Sequence, residues 1–343
     1  MKLGLQLGYW GSGPPSDAAA KVEEAERLGF DSVWTAEAYG SDALTPLAWL
    51  GSRTTNLRLG TALCQISART PTAMGMAALT LDHLSGGRFV LGLGVSGPQV
   101  VEGWYGEPFP KPLARTREYV AIVRKVLARE AVVTNDGPHY PLPFTGPEST
   151  GLGKPLKPIV HPLRSDLPII LGAEGAKNVA LAAEIADGWL PIFYAPSHDE
   201  EYRKALAEGF SRPGARRTPD EFEVISTATV MVSDDIERAA DLLRPGLALY
   251  IGGMGAREVN FHFQVFARMG FEAEATRIQD LYLDGHKDEA AAAVPTELVE
   301  ATALIGPREK IRDDLEAWNE SLVTTLLVGG GIEQMRLMAE LAG

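Results

Sequence analysis

Three short segments of this 343-residue chain combine residue types that can move a proton or hold an anion. In Thr35-Ala36-Glu37-Ala38-Tyr39, a single carboxylate stands at the end of an apolar run. Partial burial there raises a carboxyl pKa and makes Glu37 a candidate proton donor or acceptor; the competing reading is a helix-capping or salt-bridging group. The run Arg88 to Leu93 leads into Gly94-Val95-Ser96-Gly97-Pro98, a loop with few side chains, which lets a flat or anionic group approach the backbone. Gly172-Ala173-Glu174-Gly175-Ala176-Lys177 opens a helix in a similar way. Free amides and the helix dipole favour negative charge at such a place, and Lys177 adds to it. Arg69, just ahead of Thr70-Pro71, is either an anion clamp or a surface charge.

Other candidates are bulkier. Tyr9 and Trp10 follow the first apolar run, and Trp189 lies in a later one; each is a candidate wall for a planar substrate, with packing against the rim as the plain alternative. Tyr250 to Gly255, containing Met254, and then Asn260, Phe261 and His262 form a second glycine-dense loop, read as a lid, a substrate wall or a helix connection. One cysteine, Cys64, excludes an internal disulfide and any multi-cysteine metal site. No base lies near it in sequence, so it reads as a small buried residue. Six histidines show no ligand spacing, and no metal is expected. His83 reads as structural.

The elements that position these groups alternate strand and helix. Strands are expected at Leu3–Tyr9, Asp31–Ala36, Leu57–Leu63, Arg88–Leu93, Leu167–Leu171, Gly188–Phe193, Phe222–Val232 and Thr324–Val328. Helices are expected at Asp17–Leu28, Ala43–Thr54, Thr70–Leu84, Arg115–Arg129 and Ala176–Ala186. Thr70 is the expected N-cap of its helix, with Pro71 in the first turn. The proline- and glycine-rich stretch from Ala131 to Asp166 breaks the rhythm and reads as an excursion carrying a hairpin. A helical region separates the last two strands. Eight strands with intervening helices fit an α/β (β/α)8 TIM barrel, with insertions after strand four and between strands seven and eight. Strand ends carrying polar loops then belong to the mouth, where such barrels place their chemistry.

Composition narrows the function. Hydrophobic residues make up 45% and charged residues 22%, ordinary for a globular enzyme. A net charge of −13 argues against nucleic acid as partner, so an anionic ligand must be met by local groups. No apolar segment is long enough to span a bilayer and the N-terminus lacks the layout of a signal peptide, which points to the cytoplasm. The expected partner is a small-molecule substrate.

The AEAYGSD tip, the LRLGTAL strand, the block from Arg69 to Gln99 and the block ILGAEGAKNVALAAEIADGWLP together resemble the bacterial luciferase-like superfamily. The resemblance is closest to its branch that uses the deazaflavin coenzyme F420. The late segment YIGGMGAREVNF is similar to F420-dependent oxidoreductases and, more distantly, to methylenetetrahydromethanopterin reductases. The resemblance covers residues 1–343 as one luciferase-like barrel and implies a coenzyme ring at the C-terminal mouth. It also implies a bulge behind that ring with a non-prolyl cis peptide, which maps to Ala62-Leu63 or Leu63-Cys64. Contacts to the pyrimidine and phosphate map to Gln65, Val95, Ser96, Gly97, Ala173, Glu174 and Gly175. The F420-dependent sugar-phosphate dehydrogenases of this superfamily carry Asp-His where this chain has Glu37-Ala38, so their mechanism does not carry over whole. A homodimer is implied by the same resemblance. Three readings follow: an F420-dependent oxidoreductase with Glu37 as proton relay, an FMN-dependent monooxygenase fed by a reductase, and a non-catalytic flavin-binding barrel.

Overall fold

The computed structural model describes residues 1–257 and 259–342. Its strands pair in parallel: β1 (Lys2–Gly8), β2 (Ser32–Thr35), β3 (Arg58–Thr61), β4 (Cys64–Gln65), β5 (Phe89–Gly94), β6 (Ile169–Gly172), β7 (Gly188–Leu190), β8 (Glu223–Val232), β9 (Ala303–Gly306) and β10 (Thr325–Val328). Eight of them close a barrel in the order β10-β1-β2-β3-β5-β6-β7-β8, because β10 pairs with both β1 and β8. The expected barrel is present.

Strands covered on both faces explain the nearly continuous apolar runs. One face of each strand looks into the lumen, where Trp34, Val90, Ile170, Leu190, Ile225 and Leu327 pack as a single cluster capped by Ala62 and Leu63. Glycines make room for the indole: a Cβ on Gly60 would lie 2.2 Å from the Trp34 ring. The buried Trp34 Nε1 donates to Ser32 Oγ at 2.9 Å, so the lumen leaves that donor satisfied. At the N-terminal end, Arg58 forks onto Glu223 at 2.7 and 2.8 Å and closes the floor. The opposite faces, with Leu5, Val33, Leu59, Phe89 and Ile169, pack on the surrounding helices.

Several boundaries depart from the sequence reading. β7 stops at Leu190 instead of Phe193, since Pro191 has no amide to continue the ladder. β3 stops at Thr61; the Ala62-Leu63 bond is cis, and β4 then pairs with β5. A strand was missed altogether. β8 has ten residues, and Thr229–Val232 run past the partner β10 to pair with β9. Four apolar residues inside a helical region carry no periodicity that separates strand from helix. Thr70 does cap the helix Pro71–Leu84, accepting from the Ala73 amide at 3.3 Å. The helix expected from Arg115 begins earlier, at Pro112.

The two insertions lie in different places. The excursion holds only isolated pairings, Val133 with Leu156 and Asn135 with Leu142, where a hairpin was expected. It packs on the outer flank and leaves a cavity of about 550 Å³ walled by Met76, Leu79, Val126, Leu142, Leu156 and Ile159. The region between β8 and β9 is a set of helices with its own apolar cluster, including Leu247, Ile251, Phe266, Ile278 and Leu298. Phe193, just past β7, packs into that cluster and ties the helices to the barrel. Among the described residues no helix is long and apolar enough to cross a membrane.

Candidate active site

The tips of β3, β5 and β6 meet around one side chain. Leu63, after the cis bond, lies so close over the neighbouring strands that a Cβ on Gly92, Gly94 or Gly172 would come within 2.9, 2.9 and 2.1 Å of it. These three glycines are required by close approach, and they give the mouth a smooth floor. Two loops rise beside it. In the first, Ser96 holds φ at 58°, a conformation that non-glycine residues adopt sparingly and that clusters at functional sites. In the second, Gly175 caps the helix Ala176–Ile185 without a side-chain bond, which leaves first-turn amides available to an anion. Lys177 is exposed on that first turn.

On the β2 side, Glu37 is almost fully enclosed, its side chain 4% exposed. Its Oε2 accepts the Gln65 amide and Arg69 Nη1, both at 2.9 Å, and Oε1 lies 2.8 Å from the same guanidinium. The Gln65 side chain returns the contact, Nε2 donating to the Glu37 carbonyl at 3.2 Å. Tyr119 Oη donates to the Arg69 carbonyl at 3.0 Å and fixes the base of this network. Glu37 and Arg69 therefore clamp the strand that follows the cis bond.

The β6 and β7 side is built differently. Glu174 Oε1 accepts the Ile192 amide at 3.1 Å. Burial, opposed only in part by that bond and by Arg268, pushes its carboxyl up to about 8. Beyond it, Phe193, Tyr250 and His262 form an edge-to-face group with centroid separations of 5.0 to 6.0 Å. Tyr9, half exposed past β1, lies near Tyr250. Burial pulls the His262 imidazole down to about 4, so the ring is neutral at physiological pH. Met254 is half-buried in the same loop.

Some expected site residues serve the fold instead. Trp189 is fully buried, packs on Tyr194 and Tyr202 at 6.2 and 5.0 Å, and donates Nε1 to the Ala173 carbonyl at 2.8 Å. It cannot wall a substrate; it braces the loop that carries Glu174. Asn260 is 3% exposed and its amide is fully used: Nδ2 bonds the carbonyls of Tyr250 and Ile251, and Oδ1 caps the helix Phe261–Phe266. Trp10 turns into a lateral cavity with Pro15, Pro46 and Trp49. The Cys64 thiol is sealed in the outer core and pushed up to about 12 by burial, so only its backbone can reach a ligand. His83 bonds the His161 carbonyl at 2.8 Å and lies away from the mouth, as expected of a structural residue.

The structure brings Phe193, Tyr250, His262 and Gln6 to the mouth; the sequence places them at strand ends or in the glycine-dense loop without giving any of them a specific role. Gln6 shares the lumen face with Gly4 by the period of two along β1. A polar residue at a lumen position was the available signal. Gln6 Oε1, Gln65 Oε1 and His262 Nδ1 are among seven buried side-chain atoms with no partner among the described residues. Buried polar atoms are rarely left so, and these three belong to elements that end at the mouth. The two amide oxygens accept and so suit N–H or O–H groups of a flat ligand, while the free backbone amides of the two loops suit an anionic one.

A site at the C-terminal mouth of a parallel barrel defines a TIM-barrel enzyme class. The family model described as luciferase-like monooxygenase matches residues 4–325, and the chain belongs to that family. A Mycobacterium tuberculosis protein, provisionally named a coenzyme F420-dependent oxidoreductase, is 60% identical over 342 residues, covering 99% of both chains. Of solved structures, the F420-dependent tetrahydromethanopterin reductase of Methanopyrus kandleri superposes with a TM-score of 0.79 at 22% identity, covering 99% of this chain and 97% of that one. An F420-dependent secondary alcohol dehydrogenase superposes at 0.75 and 16% identity, with coverages of 99% and 97%. At those identities the structures speak for the fold alone.

Proposed function

We propose that this chain is an F420-dependent oxidoreductase acting on an organic small molecule. The observation that carries the reading is the glycine-floored mouth beneath Leu63, flanked by the loops at Ser96 and Gly175. The mycobacterial relative, through its name, favours F420 over FMN. When bound, the deazaflavin supplies a hydride at carbon and reacts poorly with oxygen, unlike FMN.

The protein's part is to bind, orient and keep water out. Leu63 and Ala62 back the ring; Gln65, Val95, Ser96, Gly97, Ala173 and Gly175 meet its polar edge and phosphate through backbone and short side chains; Lys177 adds charge. Tyr9, Tyr250, Phe193 and Met254 face the substrate. Glu37, with both oxygens held by Arg69 and the Gln65 amide, positions the bulge and does not relay a proton.

Titrating the purified apoprotein with F420 and, separately, FMN tests this reading by fluorescence. Saturable F420 binding with weaker or no FMN binding is expected. FMN binding alone would turn the reading to a monooxygenase, and binding without turnover of any acceptor to a storage protein. A homodimer is the proposed assembly, supported by exposed apolar residues on one flank, among them Met76 at 61% and Ile159 at 92%. Light scattering on a size-exclusion column checks it, and a monomer at micromolar concentration contradicts it.

A further inference from the structure

Two carboxyl groups stand at the barrel mouth, and their surroundings differ. Glu37 is held by a guanidinium. Glu174 has no cationic side chain within the 4.0 Å of an ion pair among the described residues. Arg268, on the segment Ala267–Phe271, spends Nη2 on the Glu174 carbonyl oxygen at 2.9 Å and acts on the carboxyl only through its charge, which favours the ionised form in part. The other titratable groups around it are phenols: Tyr202 from the helix Asp199–Phe210 and Tyr250 from Leu249–Gly253, with the neutral His262 ring 5.0 Å beyond Tyr250. Glu174 Oε1 is fixed by the Ile192 amide, whereas Oε2 has no hydrogen-bond partner among the described residues, and the residue is partly exposed in the loop past β6.

We propose that Glu174 is the acid of the reaction, delivering a proton from Oε2 to the oxygen of a carbonyl substrate. This rests on the hydride-transfer reading above. A C–H bond forms as the carbonyl carbon takes up a hydride and its two electrons, supplied by reduced coenzyme, which leaves oxidised. The C=O π pair moves to oxygen, the Glu174 O–H bond breaks, and the substrate O–H bond forms. An alcohol results, and the Glu174 carboxylate recovers a proton from water. In the reverse direction the carboxylate accepts the alcohol proton. Burial outweighs the Ile192 bond and the charge of Arg268, which makes the neutral form the favoured one below about 8. A neutral O–H donor recognises an acceptor oxygen, and the apolar faces of Phe193 and Tyr250 suit a carbonyl compound with an apolar body.

Glu174→Gln keeps the shape and the Ile192 bond but holds no transferable proton. The infrared difference spectrum of the apoprotein, taken between pH values on either side of about 8, is expected to show a protonated-carboxyl band that disappears at the higher pH. The variant should lack it. With reduced F420 and a panel of aliphatic, cyclic and aromatic ketones and aldehydes, kcat of the variant should fall roughly 100-fold or more, with F420 affinity unchanged. Wild-type kcat for reduction should fall as pH rises through about 8, and the variant should lose that limb. An absent carboxyl band, a variant with wild-type kcat, or an F420-bound wild type that reduces none of the carbonyls would overturn the proposal. Failure of the coenzyme reading shows separately, as wild-type protein that binds no F420; the infrared band reads the carboxyl without coenzyme.

Discussion

The two halves of the mouth solve the same problem, a carboxyl group away from bulk water, in opposite ways. On the β2 and β4 side, Glu37 and Arg69 pair with each other and Glu37 makes two further bonds to Gln65, on the strand that follows the cis peptide. On the β6 and β7 side, Glu174 receives one amide bond and no ion pair among the described residues. Pairing makes the first group a fixture. Lack of pairing leaves the second able to gain and lose a proton near neutrality.

Arg69→Ala attacks the first half and should have the largest effect. It strands an enclosed carboxylate, at a cost of about 3–5 kcal/mol in urea unfolding. Glu174→Gln should cost far less at neutral pH. Similar losses for both would erase the contrast. Gly172→Val tests the floor. Its Cβ would sit 2.1 Å from Leu63 Cδ1, so stability should fall by about 1–3 kcal/mol and F420 affinity by tenfold or more.

Smaller effects come from proton linkage. The Glu174 carboxyl is raised in the fold from an ordinary 4.5 to about 8, so the native state binds more protons between those values. Its contribution to stability is complete below 4.5 and is lost as pH rises through about 8. Unfolding midpoints across that window should decline more in wild type than in Glu174→Gln. His262 runs the other way. Its ring is lowered from 6.5 to about 4, so its contribution is present above 6.5 and fades as pH falls toward 4. His262→Gln should flatten that acid limb slightly, as measured by thermal unfolding; an unchanged limb would mean that the ring is solvated.

Local signals in the sequence were sufficient where the structure is local. Thr70-Pro71 marks a helix start, and glycine loops after apolar runs mark the strand tips around Leu63. Partnerships across long separations were not legible. Nothing near Glu37 announces that Arg69, 32 residues on, will pair with it, so the sequence left open whether this carboxylate is a salt-bridging or a proton-transferring group. Trp189 looked like a wall because bulky residues at a strand end are ambiguous until their parity in the sheet is known. Asn260 read as a ligand group, yet an Asn ahead of a helix is equally a cap. β9 was hidden by its length, and the loss of β7 after Leu190 was visible in Pro191 but outweighed by the apolar run.

The most direct test is a crystal structure of the protein with F420 bound. The account predicts the deazaflavin ring over Leu63, its pyrimidine edge at Gln65 and its phosphate between the loops at Ser96 and Gly175. A coenzyme seated instead in the flank cavity beside Met76 and Ile159, or a mouth left empty at saturating F420, would contradict it.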